Sequence, residues 1–104
     1  MASLPQKLLG AALRVLWEHG RSGDQQAVEL IAQRAPGFSD AQYAEASRRA
    51  AALDRSAYAM AAAWFASRGE GPGPTTDELQ ARHPGFSWED YAEAAANNLT
   101  WARR

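Results

Sequence analysis

The stretch PGFSDAQYAEA at residues 36–46 returns at residues 84–94 as PGFSWEDYAEA, with eight of the eleven positions identical. Each copy reads as the end of one helix and the start of the next. Proline lacks a donor and disfavours helical geometry in the residue before it, while the following glycine tolerates positive φ. Ser39 and Ser87 then suit the N-cap, where a serine oxygen accepts from first-turn N–H groups that have no intrahelical partner. Gln42 stands three residues after Ser39 and completes a capping box; Asp90 after Ser87 gives a shorter version. Phe38 with Tyr43, and Phe86 with Tyr91, have the spacing of hydrophobic staples, which set the angle at which a helix leaves its turn.

Similarity at a fixed spacing points to a supersecondary unit used twice. Unit one is expected over residues 3–53 and unit two over residues 54–104. Each should hold three helices, the two packed as one all-α domain spanning residues 1–104.

Composition agrees with helix. Alanine fills 24 of 104 positions, while strand-favouring Val and Ile are few. The chain has no cysteine, which excludes disulfide frameworks, thiolate metal sites and cysteine nucleophiles. A reducing cytoplasm is the expected compartment. Eleven Lys and Arg against twelve Asp and Glu give a formal net charge of -1, so there is no global attraction to nucleic acid or to an acidic membrane. No apolar run approaches the roughly 20 residues of a membrane span.

Outward from the repeated stretch, Ser3 is the expected cap of a first helix, with Pro5 in its opening turn and Gln6 at its third position. That helix should carry Leu8, Leu9, Ala12, Leu13, Leu16 and Trp17 on a broad apolar face and stop near His19. Gly20 and Gly23 supply a break, and Asp24 opens a short helix ending at Arg34, with Val28 and Ile31 inward. From Ser39 to Arg68 there is no Gly or Pro, so the stretch is either one helix of about 30 residues or two. The repeat favours a break near Asp54 to Ser56, with Asp54 or Ser56 as cap. Residues 57–66 are almost wholly apolar and are expected at the middle of the fold. Residues 69–74 form a Gly/Pro loop, and Thr75 with Glu78 opens the next short helix. The last helix starts at Trp88, with Tyr91, Ala94, Ala95, Asn98 and Trp101 toward one face.

Chemistry is sparse. His19 and His83 fall at different places in the two units, with no His-Glu-x-x-His spacing, so no metal or cofactor ligands and no catalytic residues are assigned. Helix, tight turn, helix is also the outline of a DNA-reading motif. Gln42 would be its base-reading residue, and Arg34, Arg48, Arg49 and Arg55 its backbone contacts, but acidic groups at the helix starts repel phosphate. The Asn98-Leu99-Thr100 sequon lies inside an expected helix and is discounted.

The difference that stands out is Asp40 against Trp88. Since Asp40 shows that the fold needs no apolar group at that position, two readings of Trp88 stand: exposure for contact with a partner, with Glu89 beside it, or packing back onto Pro84 or the Gly/Pro loop. The expected function is a non-enzymatic helical interaction or adaptor module, its partner another protein or a second copy. Excess apolar surface is expected on the first helix and on residues 54–67. The runner-up is a small helix-turn-helix-like DNA-binding or transcription-associated protein.

Overall fold

The computed structural model describes residues 4–20, 24–70, 73 and 75–102. Five helices make up the described chain, with no strand among the described residues: α1 (Gln6–His19), α2 (Asp24–Arg34), α3 (Asp40–Ala66), α4 (Thr76–Arg82) and α5 (Trp88–Ala102). None of them is long and apolar enough to cross a membrane. Two compact units are distinguished, Met1–Ala51 and Ala52–Arg104, and the boundary falls inside α3.

In the first unit, α1 opens on Pro5, whose carbonyl accepts from the N–H groups of Leu8 (3.0 Å) and Leu9 (3.2 Å). Pro5 is thus the N-cap and not a residue of the opening turn; Ser3 lies outside the described residues. Leu8, Leu9 and Leu13 are fully buried, with Ala12 and Val15 beside them. Leu16 and Trp17, on the same helix, are half-buried. Gly20, at φ +70°, ends α1 with its N–H on the Leu16 carbonyl. On α2, Ile31 is fully buried and Ala27 nearly so, while Val28 is half-buried. A Glu18–Arg34 ion pair joins the last turn of α1 to that of α2.

The turn into α3 is built as its residues suggest. Gln42 N–H donates to the Ser39 hydroxyl (3.2 Å), and Ser39 N–H donates to the Gln42 side chain (2.9 Å). The Phe38 and Tyr43 rings meet edge to face at 6.0 Å. The Tyr43 hydroxyl does more than staple: it donates to the Ala35 carbonyl (2.7 Å) and accepts from Phe38 N–H (3.2 Å), closing the turn from inside.

The expected break near Asp54 to Ser56 does not occur. α3 runs unbroken for 27 residues, about 40 Å. Asp54 and Ser56 spend their side chains on tertiary partners, Asn98 and His83, and cap nothing. The alanines around them are the strongest helix formers available. Nor do residues 57–66 form the middle of the fold. Ala57 and Ala61 are fully buried, but Ala59, Ala63 and Ala66 are exposed and Tyr58 is half out. A methyl group carries only about 0.8 kcal/mol of transfer energy, so an alanine-rich helix exposes most of its circumference cheaply.

α3 ends in a Schellman turn: Gly69 N–H reaches back to the Trp64 carbonyl (2.9 Å) and Arg68 N–H to that of Phe65 (3.0 Å). Arg68 occupies the left-handed position at φ +60°, and it is the one non-glycine with positive φ among the described residues. Arg68→Gly is therefore expected to raise stability by about 1 kcal/mol, seen as a higher urea midpoint at unchanged slope. Past this turn the Trp64 indole lies against the glycines of the loop. A Cβ would come within 3.4 Å of the ring at Gly69 and 3.5 Å at Gly73.

The second unit packs Leu53, Ala57 and Ala61 of α3 with Leu79 of α4 and with Phe86, Tyr91, Ala94 and Ala95. Thr75 caps α4 by accepting from Glu78 N–H, while the Glu78 carboxylate pairs with Arg82 instead of closing the box. Ser87 accepts from Asp90 N–H (3.1 Å). The Tyr91 hydroxyl donates to the His83 carbonyl (2.5 Å) and accepts from Phe86 N–H (3.1 Å). The sequon asparagine is in the core: Asn98 is 3% exposed and donates to Asp54 (2.9 Å) and to the Ala94 carbonyl (2.8 Å).

Candidate interaction site on helix α5

α5 turns Asp90, Tyr91, Ala94, Ala95 and Asn98 inward. Helical geometry then sends positions 88, 89, 92, 93 and 96 to the opposite side. Trp88, in the first turn, is 66% exposed, more than Tyr58, the other large hydrophobic side chain that is largely exposed among the described residues. Glu89 beside it and Glu93 one turn on are exposed too. Ala92, half-buried, and Ala96, exposed, continue the line from Trp88 along the helix. The patch is thus a large aromatic at the head of a strip of small residues, with carboxylates along one flank. An indole offers 150–250 Å² of surface, roughly, so covering it is worth on the order of 2 kcal/mol to a complex.

Most of the residues a DNA reader would need are engaged within the chain. Arg34 faces Glu18, while Arg48 and Arg49 both face Glu45 at 2.7 and 3.1 Å. Hydrogen bonds from Arg48 and then Arg49 hold the Glu45 carboxyl below its ordinary range. Gln42 has its side-chain oxygen on Ser39 N–H. Arg55 is exposed.

Two polar pairs were not legible in the sequence, Asp54 with Asn98 and Ser56 with His83. Ser56 Oγ lies 2.6 Å from His83 Nε2, which ties α3 to the residue that follows α4. Ser56 read as a cap candidate and His83 as an isolated histidine near a helix end, and no local spacing relates residues 27 apart. Burial holds the His83 pKa below 6.5, and the charges of Arg82 and Arg55 add to the effect. Folded His83 therefore resists a proton that the unfolded chain accepts, and stability falls as pH drops through and below 6.5. Urea melts should lose stability between about pH 7.5 and about pH 5.5, with a shallower loss in His83→Gln. Glu45 contributes in the same direction at lower pH, below 4.5, where its stabilising charge is lost.

No group of three or more side chains able to hold a metal ion occurs among the described residues. Compared with known protein families, curated proteins and solved structures, the chain matches none of them.

Proposed function

We propose that this chain is a non-enzymatic interaction module, built from one helical unit used twice and docking another protein through Trp88 and Glu89, with the cytoplasm as its expected setting. The duplication is supported by bonds that recur 48 residues apart. Ser39 and Ser87 accept from the N–H three residues on, and Tyr43 and Tyr91 each bridge a carbonyl eight residues back and the N–H five residues back. In this view the units share α3, which supplies the last helix of one and the first of the next.

The observation that carries the function is the exposure of Trp88 at 66%, at a position where the other unit carries Asp40. A fold that accepts aspartate there gains little from tryptophan, whereas interfaces are enriched in it. The DNA-reading alternative draws no comparable support, since three of its four arginines face carboxylates and its reading glutamine is a cap.

A photo-cross-linking residue at position 89 tests the reading, with the same group at exposed position 59 as control. The expected result is a discrete protein adduct from position 89 that disappears in the Trp88→Asp background. Adducts independent of Trp88, or equal from both positions, would contradict it. Light scattering then separates a second copy from another partner.

A further inference from the structure

Each member of the Ser56–His83 pair is preceded by an arginine. Arg55 stands before the serine on α3, and Arg82 before the histidine at the end of α4. The 2.6 Å contact between Ser56 Oγ and His83 Nε2 draws both arginines toward one spot, close enough for their charges to act on the imidazole. Arg82 gives one nitrogen to the Glu78 carboxylate at 2.7 Å. Arg55 is exposed, and no carboxylate lies within ion-pair distance of it among the described residues. Two fixed positive charges and one negative charge thus gather around an imidazole that can add a third positive. In the duplicated frame proposed above, the first unit does without this cluster. Leu8 and Ala35, both buried, stand where Ser56 and His83 do. Arg34, in the place of Arg82, is met by Glu18, and Lys7, in the place of Arg55, lies over the Phe38 ring at 5.9 Å. An apolar contact suffices there.

We propose that Arg55, Ser56, Arg82 and His83 form a binding site for a phosphate monoester dianion, one that does not involve Trp88. Two guanidinium groups, a hydroxyl and an imidazole bring several donors to one place, which suits the three free oxygens of a monoester better than the two of a carboxylate. Charge points the same way. Burial, and after it the charges of Arg82 and Arg55, oppose a proton on His83. A dianion between the arginines cancels their repulsion, so His83 gains a proton as the ligand binds. Its Nε2 then donates to Ser56 Oγ, and the hydroxyl hydrogen is free to turn to the anion. Neighbouring groups do not supply this compensation: Glu78 is held by Arg82, and the Tyr91 hydroxyl is on the His83 carbonyl.

The test follows the ring C–H signals of the two histidines by NMR of the full chain, with exposed His19 as internal control. Inorganic phosphate is titrated in near neutral pH at constant ionic strength, beside acetate as a carboxylate and dimethyl phosphate as a diester. Phosphate should shift the His83 signals saturably, in the millimolar range or tighter, raise the His83 pKa and leave His19 unmoved. Arg55→Gln and Arg82→Gln, both at exposed positions, should each weaken binding at least about tenfold, with thermal melts confirming that the variants are folded. A glycine-flanked phosphoserine peptide separates the sources. Tighter binding than inorganic phosphate supports a modified protein side chain as the ligand, and weaker binding supports a free phosphate compound. A His83 signal that does not saturate, or that moves no more than His19, would overturn the inference. So would acetate or dimethyl phosphate binding as tightly as phosphate, or variants that bind undiminished. None of these results depends on Trp88, so the docking reading stands or falls by its own experiment.

Discussion

Tyr91→Ala is expected to destabilise the protein by about 3–5 kcal/mol, the range for deleting a fully buried aromatic ring. The side chain does three things at once. Its ring meets Phe86 edge to face at 5.8 Å, its hydroxyl donates to the His83 carbonyl, and its hydroxyl oxygen accepts from Phe86 N–H. Phe86 is itself 5% exposed, so its amide has little access to replacement water. Burial raises the Tyr91 pKa, and the Asp90 charge adds to the rise, which keeps the hydroxyl a donor throughout the neutral range. Tyr91→Phe separates the contributions. It keeps the ring and should cost about 1–3 kcal/mol, the penalty for an unsatisfied buried polar group. Urea unfolding of the three proteins checks the order. Because a chain of this length has only about 5–15 kcal/mol of stability, the alanine variant should sit near the edge of folding at physiological temperature.

Asn98→Asp is expected to cost about 3 kcal/mol or more at neutral pH, although it changes almost no volume. Asn98 is buried, and its Nδ2 donates to both the Asp54 carboxylate and the Ala94 carbonyl. An aspartate there removes both donors and sets two carboxylates against each other. Like charges at such a distance raise the pKa of one member above its unfolded value. The sign of the pH dependence follows. The penalty is fully present above the raised pKa and is recovered as pH falls through it, so this variant should gain stability relative to wild type on acidification. Asn98→Ala, which puts in place the residue found at Ala50, should cost less, since Asp54 is only half-buried and can turn toward water. A melt series across pH distinguishes a charge effect, which reverses, from a packing effect, which does not.

The two substitutions also mark where sequence reasoning stops. Caps and turns were legible because their physics closes within three residues: Ser39 with Gln42, Ser87 with Asp90 N–H, and Thr75 with Glu78 N–H all form as spacing alone suggests. The contrast with Asp40 singled Trp88 out but left open whether its side chain is exposed or packed. The tyrosine hydroxyls were half-visible, since the staple spacing brought the rings together but gave no hint of what the oxygens bind. Ser56 with His83 and Asp54 with Asn98 were invisible, being separated by 27 and 44 residues and paired only by the packing of helices. The same two pairings explain the unbroken α3, whose candidate caps were already committed. Reading every alanine as a core residue misplaced residues 57–66, because a side chain that small is indifferent to where it faces.

The most direct check compares Trp88→Asp with Tyr91→Ala in parallel urea unfolding, three positions apart on one helix. Positions where the two units agree should build the fold, and positions where they differ should be free of that duty. The expected result is a Trp88→Asp midpoint within about 0.5 kcal/mol of wild type, as for an exposed substitution, beside the large loss at Tyr91. A loss at Trp88 comparable to that at Tyr91 would make the tryptophan a packing residue and contradict the account.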